Sequence, residues 1–213
     1  MTPTTFPTPA VASAGSEDPA TPLVVLLHGR GSSETKILPL AAHLPTGPQY
    51  VAVRAPIAEG GGYAWFANRG IGRPVAESLA ATTAWFRAWL DGVAPEGRPV
   101  VLVGFSGGAA FAGGLLLAEP GRWAGAAITF GTLPFDAGVP VTAGRLRGVP
   151  VLVAQGDQDQ VIPAELLSRT WTYLTEHSGA AVTKHRSRGG HGLTPETVTA
   201  LSAWLTVVLD LDA

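Results

Sequence analysis

The sequence contains no cysteine, and this absence excludes disulfide bonds, thiolate metal ligands and a cysteine nucleophile. Charged residues are also scarce, at 14% of the chain, and the net charge is only −2. The basic residues are scattered, so neither nucleic acid nor an anionic membrane surface is an expected partner. No apolar run is long enough to span a bilayer, and we expect no membrane insertion.

Hydrophobic residues, by contrast, make up 46% of the 213 residues, which is typical of one α/β domain with a large core. We expect this single domain to span residues 21–213. Residues 1–20 are rich in Pro and Thr, and they contain no Lys or Arg and no continuous apolar segment. This composition is not typical of a secretory signal. We interpret most of the segment as a flexible arm, with room for one short strand around Val11, and the expected location is cytoplasmic.

Short apolar runs alternate along the chain with longer amphipathic ones, which predicts strands alternating with helices. Strands are predicted at 23–27, 50–54, 99–104, 123–130 and 149–154, with a weaker one at 180–185. Helices are predicted at 73–90 and 107–118, from Pro163 onward, and from Pro195 onward with Thr194 as the N-cap. This alternation predicts an α/β fold, in which helices cover both faces of a mainly parallel sheet of about six or seven strands. The longest loop lies between residues 55 and 73, and no segment is long enough for a large lid.

Residues 104–108 read Gly-Phe-Ser-Gly-Gly and join an apolar strand to a helix of small residues. The pattern G-x-S-x-G in this context is typical of a nucleophile elbow, in which glycines make room for a sharp turn. A helix that begins there also directs backbone N–H groups at a developing oxyanion. Ser106 is therefore the predicted nucleophile. The alternative is a glycine-rich turn whose serine only caps the helix.

His191 is the predicted general base, because it is the histidine that glycines flank in the loop between the last strand and the last helix. Two aspartates, Asp157 and Asp159, follow the fifth predicted strand and compete for the role of the acid that orients the imidazole. Either choice gives the chain order Ser, Asp, His that is typical of this kind of triad. The residues alone leave the choice open, since the other aspartate could bond backbone N–H groups in the same turn.

Four motifs, in order, carry a resemblance to a known family: Leu-His-Gly-Arg-Gly at 27–31, Ala-Trp-Phe at 64–66, the elbow at 104–108, and the segment 156–163. With His191 they resemble the phospholipase/carboxylesterase family of α/β-hydrolases, which includes acyl-protein thioesterases and small bacterial carboxylesterases. The resemblance implies that Asp159 is the acid and that the backbone N–H groups of Arg30 and Gly107 form the oxyanion hole. The sequence departs from the family at Ala67, where Asp is usual, and at Ile162, which is an extra residue.

The resemblance implies hydrolysis of small to medium acyl esters or thioesters through an acyl-enzyme, without a metal or cofactor. The expected partner is the small-molecule substrate, and the chain is expected to be a monomer or a homodimer. Candidates for the apolar substrate pocket are Trp65, Phe66, Phe105, Leu133, Val161 and Leu193. Two alternatives remain: an acyltransferase that uses the same triad, and a ligand-binding protein of the same fold that lacks activity.

Overall fold

The computed structural model describes residues 6–211 and contains a central seven-stranded sheet and two small hairpins. The strands, in chain order, are β1 (Val11–Gly15), β2 (Leu23–Leu27), β3 (Gln49–Val53), β4 (Ile57–Glu59), β5 (Gly62–Ala64), β6 (Asn68–Gly70), β7 (Arg73–Pro74), β8 (Val100–Phe105), β9 (Gly125–Thr129), β10 (Pro150–Gly156) and β11 (Ala181–Ser187). The helices are α1 (Glu34–Ile37), α2 (Ala76–Val93), α3 (Gly107–Ala118), α4 (Ala164–Thr172) and α5 (Pro195–Val208).

The central sheet has the strand order β1-β3-β2-β8-β9-β10-β11. Six of these strands run parallel, and only β1 runs antiparallel to its neighbour. Strands β2 and β9 are buried along their whole length, as expected for parallel strands covered on both faces. This arrangement confirms the predicted α/β fold, and it brings the carboxyl ends of the parallel strands to one edge of the sheet.

Helices cover both faces of the sheet and enclose two apolar cores. One core contains side chains of α2, α3 and α4, such as Phe86, Phe111 and Leu166. The other contains side chains of α5 and of the 3₁₀ segment after α1, such as Leu201 and Ala41. Within residues 6–211, no helix has the length and apolar character needed to cross a membrane.

Part of the N-terminal segment packs against the domain. Strand β1 pairs with β3 in antiparallel register from Val11 opposite Val53 to Gly15 opposite Gln49, at the edge of the sheet. Upstream of β1, the indole N–H of Trp85 on α2 donates to the carbonyl of Pro7 at 2.6 Å. The short strand that the sequence allowed around Val11 is thus present as β1, while residues 1–5 of the predicted arm lie outside the described residues.

The predicted long loop contains two hairpins, one formed by β4 and β5 and the other by β6 and β7. Gly60 and Gly61 make the first turn, with φ of 57° and 81°, values that glycine adopts without steric cost. Because residues 73 and 74 pair in the second hairpin, α2 begins at Ala76, three residues after the predicted start. This segment lies over the sheet edge where the parallel strands end.

The start of α3 packs directly on the end of β2. A Cβ atom at Gly108 would overlap the carbonyl oxygen of Leu27 and lie 2.7 Å from that of His28. Because these obstacles are backbone atoms of a buried strand end, they cannot move aside as a flexible side chain could. Only glycine at this position lets the helix approach the strand so closely.

We therefore expect Gly108→Ala to lower the free energy of unfolding by at least about 3 kcal/mol, or to prevent folding. Gly92→Ala is the matched control, because Gly92 lies in α2 and a Cβ atom there would meet nothing within 4 Å. The free energy of unfolding of that variant should rise by about 0.5–1 kcal/mol, because alanine has a better helix propensity than glycine. Urea unfolding measures both effects, and a Gly108→Ala protein with the wild-type midpoint would contradict the packing argument.

Candidate active site

Ser106 occupies a strained turn between β8 and α3. Its φ of 55° and ψ of −116° lie in a region that residues with side chains rarely adopt. Its N–H donates to the carbonyl of Thr129 at 3.0 Å, and its own carbonyl accepts from the N–H groups of Ala109 and Ala110. The neighbouring strand and the first turn of α3 therefore hold the strained conformation in place.

His191 lies in the loop between β11 and α5 and bridges two other side chains. Its Nδ1 is 2.8 Å from Oδ2 of Asp159, and its Nε2 is 2.8 Å from Oγ of Ser106. A carboxylate can only accept, so Nδ1–H donates to Asp159 and leaves Nε2 as the acceptor for the Ser106 hydroxyl. The three side chains thus form an unbroken hydrogen-bonded line.

Asp159, not Asp157, lies against the imidazole. The Asp159 side chain is 0% exposed, and its Oδ1 accepts from the backbone N–H groups of Val161 and Ile162 at 2.9 and 3.1 Å. The half-exposed Asp157 carboxylate instead faces Arg186 on β11 at 3.5 Å. The turn N–H groups that either aspartate could have bonded are therefore bonded by Asp159, which also orients its second oxygen toward His191.

Two backbone N–H groups adjoin Ser106. Gly107 follows it directly, and a Cβ atom at Gly107 would lie 3.2 Å from the backbone nitrogen of Arg30. Among the hydrogen bonds within residues 6–211, none has the N–H of Arg30 or Gly107 as its donor. Gly107 also begins α3, whose positive dipole end lies at this point. These features suit the stabilisation of an anionic oxygen beside Ser106.

The side chain of Arg30 serves as an anchor for the neighbouring loop. Its guanidinium donates from Nε to Glu59 at 2.5 Å, forms a second bond to the same carboxylate, and donates from Nη1 to the carbonyl of Phe66 at 3.0 Å. A bidentate pair of this kind fixes orientation as well as position. The Arg30 side chain therefore ties the β4–β5 hairpin to the loop after β2.

A cleft of about 560 Å³ opens above Ser106 and His191. Four of the predicted pocket residues line it, namely Phe66, Phe105, Val161 and Leu193. Lining residues that the sequence reasoning missed include Ile37, Asn68, Ile71, Thr132 and Ile162. Most lining residues are apolar; the basic residues Arg30 and Lys36 also line the cleft, and none of its lining residues is Asp or Glu, so it suits a mainly apolar group and disfavours a cationic one. For Ile71 a signal existed, since it is an apolar residue between two glycines in the long loop.

Trp65 and Leu133 do not line the cleft, and their prediction as pocket residues is corrected. Trp65 is 1% exposed, stacks on Phe111 with ring centroids 4.6 Å apart, and donates its indole N–H to the carbonyl of His28 at 2.8 Å. Leu133 is fully buried against Gly113 of α3, where a Cβ atom would lie 2.6 Å from the leucine side chain. Both residues belong to the core beneath the site.

His28, to which the sequence reasoning gave no role, is 1% exposed beside the site. Its Nδ1 lies 2.7 Å from the carbonyl oxygen of Gly29, and the N–H of Ala55 donates to its Nε2 at 3.1 Å. Burial lowers the pKa of the imidazole from its ordinary 6.5 more than the bond to Gly29 raises it. The ring is therefore held in its neutral form.

Within residues 6–211 no cluster of three His, Asp or Glu side chains could hold a metal ion.

Comparison with known proteins shows the family and supports the fold. A family model described as phospholipase/carboxylesterase matches residues 8–209. The Bacillus subtilis protein MhqD is 26% identical over 187 residues, which cover 85% of this chain and 91% of MhqD. The crystal structure of a Bacillus cereus carboxylesterase is similar with a TM-score of 0.81 and 27% identity, covering 94% of each chain. A Mesorhizobium loti carboxylesterase has a TM-score of 0.77 and 27% identity, over 91% of this chain and 98% of its own.

The lowered pKa of His28 predicts a loss of stability in acid. Below pH 6.5 the unfolded chain binds a proton at this histidine that the folded chain binds only at lower pH. The free energy of unfolding should therefore fall as the pH decreases through 6.5 toward the folded pKa. Urea unfolding of the wild type and His28→Asn at pH 8 and pH 5 tests this. The decrease in the free energy of unfolding between pH 8 and pH 5 should be smaller in His28→Asn than in the wild type. Equal decreases in the two proteins would contradict the prediction.

Proposed function

Because the chain belongs to the phospholipase/carboxylesterase family of α/β-hydrolases, we propose that it hydrolyses carboxylic esters or thioesters through Ser106, His191 and Asp159. One observation carries this proposal: a hydrogen-bonded line runs from Asp159 through His191 to the Ser106 hydroxyl, beside the backbone N–H groups of Arg30 and Gly107, which donate to no atom of residues 6–211. Nucleophile, base and oxyanion donors thus meet at one point, as acyl transfer requires.

In the first step, Oγ of Ser106 attacks the carbonyl carbon of the substrate while Nε2 of His191 accepts the hydroxyl proton. The carbonyl oxygen becomes an oxyanion and accepts hydrogen bonds from the N–H groups of Arg30 and Gly107. One such donor is typically worth about 3 kcal/mol of transition-state stabilisation. Asp159 keeps the hydrogen of the neutral ring on Nδ1, so that Nε2 is free to act as the base.

In the second half of the reaction, the tetrahedral intermediate collapses and the bond to the leaving oxygen or sulfur breaks. The leaving group takes the proton from Nε2 of His191, and the acyl group remains on Ser106. Water then attacks the acyl-enzyme and gives its proton to His191. The acid is released, and Ser106 regains its hydrogen.

The cleft indicates the size and polarity of the substrate. Its volume of about 560 Å³ lies within the range of small-molecule sites. Apolar side chains such as Phe66, Phe105 and Leu193 line it, and both Ile71 and Val161 are exposed at its mouth. We therefore expect esters or thioesters with small to medium, mainly apolar acyl groups. A series of p-nitrophenyl esters of increasing acyl length measures the longest acyl group that the cleft accepts.

Ser106→Ala should leave a folded protein and reduce kcat for p-nitrophenyl butyrate by about 10⁴-fold or more, because it removes the nucleophile. A fluorophosphonate probe should label the wild type and not the variant. Thermal unfolding of both proteins controls for folding. Retention of more than a few per cent of wild-type turnover by the folded variant would refute the assignment of Ser106.

Asp159→Asn should reduce kcat by roughly 10²–10⁴-fold, because an amide can donate to Nδ1 and thereby favours the wrong imidazole tautomer. Asp157→Asn is the matched control, since it makes the same chemical change two residues away, at a half-exposed side chain paired with Arg186. It should keep kcat within about twofold and change the free energy of unfolding by less than about 1 kcal/mol. If Asp157→Asn were the inactive variant, the acid would be misassigned.

A further inference from the structure

The imidazole of His28 bonds the peptide unit that carries one of the proposed oxyanion donors. Its Nδ1 is 2.7 Å from the carbonyl oxygen of Gly29, and that carbonyl shares its peptide plane with the N–H of Arg30. In a trans peptide the C=O and N–H bonds point in opposite directions. We propose that His28 is a positioning residue that orients the N–H of Arg30 toward the oxyanion, an inference that rests on the proposed function.

The hydrogen-bond pattern around the ring determines which nitrogen carries the hydrogen. The backbone N–H of Ala55 donates to Nε2 at 3.1 Å, so Nε2 must be without a hydrogen. The hydrogen of the neutral ring is then on Nδ1, and the Gly29 carbonyl accepts it. Because the residue is 1% exposed, solvent water does not compete for this bond. The ring therefore acts as a fixed donor to the Gly29 carbonyl.

The peptide benefits from such a donor because it begins at a glycine and lies in a glycine-rich loop. Gly29 precedes Arg30, and Gly31 follows it with a φ of 75°, so the backbone on both sides permits rotations that other residues resist. The N–H of Ser32 also donates to the Gly29 carbonyl, at 3.1 Å, in a turn. The imidazole supplies the second donor to the same oxygen. Two donors restrict the peptide more than the turn bond alone, and both polarise the Arg30 N–H as a donor.

A hydrogen bond also fixes the backbone carbonyl of His28, and this keeps the imidazole ring in position relative to the Gly29–Arg30 peptide. The indole N–H of Trp65 donates to it at 2.8 Å, and the Trp65 ring lies 5.3 Å from the imidazole. Trp65 in turn stacks on Phe111 of α3. The orientation of the Arg30 N–H is thus linked through His28 to the core beneath the nucleophile.

Two substitutions of His28 distinguish the effect of the Nδ1–H donor from that of the Nε2 acceptor. An Asn side chain places an N–H₂ group near the position of Nδ1 and loses the acceptor for Ala55. A Gln side chain places an oxygen near the position of Nε2 and loses the donor to Gly29. His28→Gln should therefore reduce kcat for p-nitrophenyl butyrate by about tenfold with KM within about twofold. His28→Asn should retain kcat within about threefold of wild type, although its melting temperature falls.

Inhibition by phenylboronic acid gives a second readout, because its serine adduct places an oxygen where the oxyanion forms. The inhibition constant should rise by about tenfold in His28→Gln and by less than about threefold in His28→Asn. Equal losses of kcat in the two variants would overturn the inference, because the lost contact to Ala55 or the lost ring volume would then be responsible. A folded His28→Gln with wild-type kcat would overturn it too.

If His28→Gln does not fold, the ¹⁵N chemical shifts of the imidazole in the wild type decide the question. We expect a hydrogen on Nδ1 and none on Nε2, and the opposite tautomer would overturn the inference. A wild type that neither cleaves esters nor reacts with a fluorophosphonate would refute the proposed function and this inference together. An active wild type together with a His28→Gln variant of unchanged kcat would refute the inference alone and leave the proposed function standing.

Discussion

The contact between the first turn of α3 and the end of β2 is the constraint on which the rest of the site depends. Gly108 lies so close to the carbonyl of Leu27 that no side chain fits between helix and strand. This approach brings the peptide after Ser106 beside the loop that follows β2, where a Cβ atom at Gly107 would come within 3.2 Å of the Arg30 nitrogen. The backbone of Arg30 and that of Gly107, 77 residues apart in sequence, thus lie side by side because helix and strand touch.

The hairpin segment after β3 stabilises that loop from the outer side. Gly31 donates to the carbonyl of Tyr63 and Tyr63 donates to that of Ser32, while Arg30 binds Glu59 and Phe66. Since the loop is rich in glycine, these external bonds determine its conformation more than its own residues do. The two-hairpin segment after β3 therefore holds the loop after β2 in place as well as lining the cleft.

A buried carboxylate is costly unless every acceptor site finds a donor, and the turn after β10 meets this requirement for Asp159. Backbone N–H groups of Val161 and Ile162 occupy one oxygen, and the imidazole N–H of His191 occupies the other. These three hydrogen bonds hold the Asp159 carboxylate against His191. The ring of Phe105 also packs against the imidazole of His191, with ring centroids 5.3 Å apart.

The sequence by itself determined the alternation of strands and helices, the elbow around Ser106 and the topological place of His191, because each depends on neighbours within a few residues. The turn residues by themselves left open which of two aspartates two positions apart faces the imidazole, since a turn has no periodicity that orients a side chain. The family resemblance implied Asp159, and the tertiary structure brings Asp159 against His191. It also decided that Trp65 and Leu133 lie in the core while Phe66 and Leu193 line the cleft, and that residues 11–15 complete the sheet. Burial and edge pairing are set by contacts between segments far apart in the chain, and no local pattern of residues encodes those contacts.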